Sequence, residues 1–442
     1  MRDKTLNMTS GNTMKLLIVF SIPMLIGNVF QQLYNLVDSV IVGRLVGAGA
    51  LAAIGATSSV TFFFFALCNG VASGGGIITS QAFGDGNDKR IKSCIANTAY
   101  IMLAMPLIVG FIASAIASPV LNLLETPQDI MPDAVLYIRV MCMGLVFVSL
   151  YNFVSSMLRA LGDSKTPLYF LIFASILNVI LDIVFVYYLR MSVFGAAIAT
   201  VISQFVSGVA CLGYAIKYNE YFHLSKEDFA INKVLISKTL KLGIPLSLQF
   251  SMIAISCMAL QRVVNSFGAV AVAAFTATSR IEQIIHQPYQ TIGAALTTYI
   301  GQNYGAQEKE RMKVGYRKGM LLMIIFTILM MPIMQIWGNE IVAIFVKDSD
   351  VIAMGGVALR ISSLFYCFLG VIYVVRGYLN GIGDSFFALL NGIVEVIGRF
   401  TVPVMLTHIA TIGLWGIWWS VGIVWFISGF TAWLRYLAKK EK

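Results

Sequence analysis

Two carboxylates stand in stretches that otherwise suit the interior of a membrane. Asp182 lies in SILNVILDIVFVYYL (175–189), a run that is apolar around it apart from Asn178 one turn earlier. Asp38 lies in QQLYNLVDSVIVG (31–43), where Tyr34 one turn before it and Gln31 three residues earlier still share its helix face. An aspartate at the centre of a spanning helix costs about 2.5–3.5 kcal/mol on insertion scales, and the usual remedy is a partner, a proton or a cation. Thr200, in FGAAIATVIS (194–203), supplies a hydroxyl in the next apolar run, and Asn152 a further amide. Two carboxylates with amide and hydroxyl oxygens suit a hard monovalent cation; two close carboxylates can also share one proton, because both cannot stay charged at short range. The structural alternative is that Asp38 and Asp182 are simply hydrogen-bonded to Tyr34 and Asn178 and hold helices together.

The elements that must position these groups are helices in a bilayer. The chain of 442 residues is 58% hydrophobic and only 12% charged, with a mean hydropathy of +0.82. That leaves too little polar surface for a soluble domain of this size. Apolar runs of about 20 residues favour spanning helices over the alternating tens of a β-barrel. Charge and turn residues mark off twelve spans, at roughly 14–43, 52–80, 94–118, 133–160, 166–189, 194–217, 238–268, 272–302, 316–338, 354–382, 385–407 and 411–438. The first run is too long, and too directly continued by further spans, to read as a cleaved signal peptide. The expected fold is an all-α integral membrane protein.

Lysine and arginine gather in the N-terminal tail, in 84–92, 159–165, 217–241 and 308–318, and in the C-terminal tail, whereas 125–129 and 347–350 are acidic or nearly neutral. The positive-inside rule then puts both termini in the cytoplasm. The net charge of +10 follows from topology, and no basic stripe with interleaved aromatics argues for nucleic acid. The six cysteines lie within or at the ends of apolar spans without C-x-x-C spacing, so they read as packing residues.

One shift of half the chain carries QAFGDGNDKRIK (81–92) onto QNYGAQEKERMK (302–313), GAGALAAIGATS (47–58) onto GAVAVAAFTATS (268–279) and ALGDS (160–164) onto GIGDS (381–385). The chain is therefore expected to form two pseudo-symmetric six-helix bundles, an N-lobe over 1–216 and a C-lobe over 238–442 joined by a cytoplasmic linker over 217–237, with parallel repeats. The same shift sets Asp38 on Ala259 and Asp182 on Pro403. The carboxylates are additions to one lobe.

The paired Q-x-x-G loops, the G-D-S turns, Pro23 and Pro245 early in the first and seventh spans, and the duplicated twelve-span layout resemble the multidrug and toxic compound extrusion (MATE) family over essentially the whole chain. The resemblance implies a V-shaped pair of bundles and a secondary antiporter. Such a protein exports small amphipathic, mostly cationic compounds in exchange for H⁺ or Na⁺. It further implies that Asp38, Asn178, Asp182 and Thr200 match the N-lobe cation site of the archaeal and DinF-like branch, with Gln31, Tyr34 and Asn152 as support. The NorM-like branch would bring a glutamate in the seventh span and an aspartate in the tenth. Here the seventh offers Gln249 and the tenth Arg376.

Other intramembrane polar residues are few. Glu395 and Arg399 stand i, i+4, the spacing of an intrahelical ion pair, unless Glu395 faces a cavity and attracts cations. Arg280, Glu282 and His286 lie beside Pro288 and read as the lining of a wet, broken part of the eighth span. Gln249, Glu282, Glu395 and Arg399 are the candidate substrate-cavity residues. Pro23 either lets the first span bend or is a kink kept for packing.

No phosphate loop or nucleophile–base–orienter set appears, so neither an enzyme nor a cofactor is expected, and no metal beyond Na⁺ at the Asp38 site. The partners expected are organic cations and membrane lipids, around a monomer in a bacterial cytoplasmic membrane. A flippase for a lipid-linked saccharide is the alternative; it should carry a cluster of cavity arginines, for which only Arg376 and Arg399 are available.

Overall fold

A computed structural model describes residues 5–440, except for the side chains at 48, 253, 254, 257–259 and 440. Among the described residues every regular element is helical. A backbone in hydrocarbon must satisfy its own polar groups, and in a chain of long apolar runs the helix does so within each run. The helices are α1 (Thr13–Leu45), α2 (Ala48–Gly84), α3 (Asp88–Leu123), α4 (Met131–Met143), α5 (Leu145–Ala160), α6 (Lys165–Asp182) and α7 (Ser192–Tyr218). They continue as α8 (Lys233–Asn265), α9 (Ala269–Gly305), α10 (Lys309–Ala343), α11 (Ser349–Ser363), α12 (Tyr366–Gly381), α13 (Ser385–Thr407) and α14 (Gly416–Lys440).

Eight of these are long and apolar enough to cross a membrane singly, and α4 with α5 and α11 with α12 do so as pairs bent by 44° and 51°. Two further rods, α8 and α9, have 33 and 37 residues and carry more polar side chains. A helix or a bent pair of helices stands at each of the twelve expected spans, ten of them apolar enough to cross when each bent pair counts as one. Gly144 separates α4 from α5, and the space a side chain would need there is filled by Val201 of α7. The second break, at Leu364 and Phe365, has neither glycine nor proline to announce it. Conversely, α1 runs on through Pro23 and α9 through Pro288. The eighth span is thus not broken at Pro288 as expected. Spanning helices tolerate proline where neighbouring groups take up the freed carbonyl.

The chain divides into two compact units: Val19–Ser251 with the residues up to Met8, and Met252–Lys442 with Thr9–Ile18. The divisions fall inside α1 and α8. Within the first unit Gly70 and Gly74 of α2 meet Gly243 and Ser247 of α8 so closely that a Cβ at either glycine would strike backbone. Ser247 Oγ donates to Leu67 O at 2.5 Å across the same contact. Small residues four apart on both helices allow this approach. In the second unit Gly293 of α9 and Gly377 of α12 allow the same.

The two G-D-S turns do different work. Asp163 caps α6, accepting from Lys165 N at 3.0 Å, Thr166 N at 2.9 Å and Thr166 Oγ1 at 2.6 Å. Asp384, its repeat partner, instead accepts from Arg435 Nε at 2.9 Å. Cys68, Cys94, Cys142 and Cys211 are buried as packing residues, whereas Cys367 is exposed. The side chain of Cys257 lies outside the described residues.

Candidate functional site

The short connection from α6 to α7, with Arg190 and Ser192 both at φ 52, folds the two helices back on each other. Asn178 therefore reaches Thr200, donating from Nδ2 to Oγ1 at 3.3 Å. Thr200 returns its own proton to Ala196 O one turn back, at 3.1 Å. Tyr34 of α1 brings its Oη to 3.5 Å from the same Thr200 oxygen, so α1 is held against the α6–α7 pair where Asp38 follows one turn on. Asp38 and Asp182 lie close enough that each carboxyl bears directly on the other. Asp182 is fully buried and Asn178 is 1% exposed.

The hydrogen-bond inventory is one-sided. Both oxygens of Asp182, Oδ1 of Asp38 and Oδ1 of Asn178 are buried without a donor. Ionised carboxylates only accept, so neither aspartate can satisfy the other. Leaving such groups buried and unpaired costs several kcal/mol each, unless a proton or cation joins them. The set contains oxygen ligands alone, with no sulfur or imidazole. Its chemistry fits a proton or a hard monovalent cation and not a transition metal.

One member escaped the sequence reading. Tyr137 of α4 is 8% exposed and lies within electrostatic reach of both aspartates. It packs in an apolar layer with Val42, Val186 and Val201. A single tyrosine in an apolar helix gives no signal of its own; only the break at Gly144 hints that α4 turns toward α7. A second unforeseen feature is local: the chain widens into a π-helix over Ile183–Tyr188 immediately after Asp182. Such widenings recur at functional positions in helices. Of the expected supports, Tyr34 is in place. Gln31 is exposed, and Asn152 is half-buried on α5 outside this set of bonds.

The four substrate-cavity candidates are divided between the two units. Gln249 is buried at 5% exposure in the part of α8 that belongs to the first unit, and the other three are in the second. Glu395 is 8% exposed and is engaged across helices: Arg376 of α12 donates to it from Nη2, and Ser428 of α14 at 3.2 Å. Arg376 Nε donates to Asn391 Oδ1 at 2.8 Å, and Asn391 Nδ2 to Ser428 O at 2.9 Å. The ion pair closing on Glu395 thus comes from the neighbouring span, 19 residues away in sequence, while Arg399, at the i+4 spacing, also acts on the Glu395 charge. Glu282 and His286 stand on one face of α9, half-buried, while Arg280 is exposed away from them.

A family model described as MatE matches residues 23–184 and 245–398, once in each repeat. The probable multidrug resistance protein YpnP of Bacillus subtilis (strain 168) is 33% identical over 98% of this chain and 97% of its own. A crystal structure of MATE in the bent conformation superposes with a TM-score of 0.92 at 23% identity, over 98% of this chain and 97% of that one. The outward-facing conformation of a multidrug resistance MATE family transporter of the MOP superfamily does so with a TM-score of 0.89 at 23% identity, over 98% and 97%.

Proposed function

The chain belongs to the MATE family of multidrug efflux transporters, and we propose that it exports small amphipathic, mostly cationic compounds in exchange for H⁺ or Na⁺ bound between Asp38 and Asp182. The observation that carries this reading is the set of unpartnered oxygens on Asp38, Asp182 and Asn178. A proton between the carboxyls turns one acceptor into a donor. A sodium ion would take the same carboxylate oxygens with those of Asn178 and Thr200. Either ion removes charge from the point where α1, α6 and α7 meet, and so favours whichever arrangement of α1 binds the neutralised pair better. An ion shifts such an equilibrium only by its differential affinity for the two arrangements. Export follows if the arrangement favoured with the ion bound holds the cargo less well.

The protein acts as a transporter and not as an enzyme. In this reading it works as a monomer in a bacterial cytoplasmic membrane with both termini inside, where the basic loops belong. The flippase alternative loses ground, because Arg376, one of its two candidate arginines, is already committed to Glu395 and Asn391.

The test is transport by the full chain in vesicles under an imposed Na⁺ or proton gradient, each alone. Dye movement driven by one gradient supports the reading and identifies the ion. Movement that is equal with no gradient at all contradicts it.

A further inference from the structure

The second unit contains a polar cluster that the coupling site does not use. Glu282 and His286 are one turn apart on α9, with Glu282 Oε1 and His286 Nε2 both buried and unpartnered. Facing them across the broken tenth span are Ser362, the next-to-last residue of α11, and Tyr366, the first of α12. Both are 0% exposed, and neither hydroxyl has a partner. The Ser362 hydroxyl lies within hydrogen-bonding reach of the Glu282 carboxyl, and the Tyr366 phenol within electrostatic reach of it. The His286 ring packs edge-on against Trp425 at 5.4 Å and Tyr373 at 6.4 Å. Four unsatisfied polar atoms at one helix break are a costly way to fill a core.

We propose that Glu282 and His286, closed in by Ser362 and Tyr366, form a second exchangeable-proton site within the C-terminal unit. The charges around it argue for a proton over other ligands. Arg399 of α13 acts directly on both Glu282 and His286, which repels a metal cation, while the Glu282 carboxylate repels an anion. Glu395 also acts on His286, and Glu395 and Arg376 close on each other as an ion pair. Tyr366 and Tyr373 are the titratable α12 groups that face this set, α9 adds Tyr289 beside Tyr366, α11 brings the Ser362 hydroxyl and α14 the indole of Trp425. A proton suits this set because carboxyl, imidazole, hydroxyl and phenol can each exchange the roles of donor and acceptor. On the reading of the chain as a cation exporter, each proton taken up here adds one positive charge to the unit's interior. That disfavours a cationic compound nearby, in the same direction as release.

The test is the infrared difference spectrum of the purified full chain between about pH 9 and about pH 6.5, a window in which exposed carboxylates, with pKa values near 4, stay ionised, read at the carboxylic-acid carbonyl band. In Asp38→Asn/Asp182→Asn the band is expected to fall but not vanish. Adding Glu282→Gln is expected to remove the remainder, and His286→Gln to shift the pH at which it appears. Should Glu282→Gln fail to fold, carboxyl-labelled glutamate in the aspartate double variant must shift the residual band. No residual band, or one indifferent to both Glu282→Gln and glutamate labelling, overturns the second site. A band undiminished by the aspartate changes tells instead against the Asp38–Asp182 reading.

Discussion

Asp38 of α1 and Asp182 of α6 face each other with three of their four oxygens buried and unpartnered. Replacing either by asparagine keeps shape and removes the charge that makes an ion necessary. Asp38→Asn and Asp182→Asn are each expected to abolish gradient-driven export, while expression and elution in gel filtration stay as in the parent. Near-normal pumping by both variants would remove the site from the mechanism.

Asn178 and Thr200 each contribute one neutral oxygen. Asn178→Ala and Thr200→Ala should therefore weaken coupling without ending it, seen as a several-fold higher ion concentration for half-maximal export. A loss larger than that of the aspartate variants would assign these residues another task.

Arg376 and Glu395 provide a contrast, because their pair is complete. Arg376→Ala strands a buried carboxylate, which costs about 3–5 kcal/mol, and should lower the thermal unfolding midpoint markedly. Glu395→Gln should cost less and leave the range of exported cations unchanged. Replacing both by methionine should recover much of the midpoint lost in Arg376→Ala. A changed cation range in Glu395→Gln with an unchanged midpoint would return Glu395 to the substrate path.

Most of the architecture was legible because hydrocarbon is a strict solvent. Apolar runs delimited the spans to within a few residues, apart from α2, α3, α8, α10 and α11, which extend further into the loops, and α14, which starts later than expected. Asp38, Asn178, Asp182 and Thr200 stood out because polar atoms in such runs are rare. What escaped was set by packing between helices. The break at Leu364 and Phe365 has no local residue signal, and Pro288 suggested a break where α9 is continuous. Arg376, 19 residues away, closes on Glu395 from another helix, which no local spacing announces. Tyr137 joins the site through the packing of α4 against α7, which no residue in its own run announces.

Pro23 removes one backbone hydrogen bond from α1, fifteen residues before Asp38 on the same helix. If the first span exchanges between two shapes, Pro23→Ala should favour the uninterrupted helix and slow export several-fold. Spin labels on either side of residue 23 should then report one distance at all ion concentrations, where the parent reports two. Normal export by Pro23→Ala with a single distance in both proteins would make the proline a packing feature.

Outside the membrane, Asp228 closes the loop before α8 by accepting from Ser225 N at 2.7 Å and Ser225 Oγ at 2.8 Å. The Ser225 backbone bond holds its carboxyl below the ordinary aspartate range. A depressed folded value means that the stabilisation is present above the unfolded pKa and is lost as pH falls through the folded one. Protease cleavage between 223 and 232 should therefore rise at strongly acid pH. Asp228→Asn should show that raised cleavage already at neutral pH.

The central claim is that ion movement on the Asp38–Asp182 pair drives the export of cargo. Its most direct test measures ion and dye fluxes together in vesicles containing the parent protein or Asp182→Asn. The account requires the two fluxes to rise in fixed proportion in the parent and to disappear together in the variant. Dye export that continues in Asp182→Asn with the ion flux gone, or ion flux that continues undiminished, would contradict it.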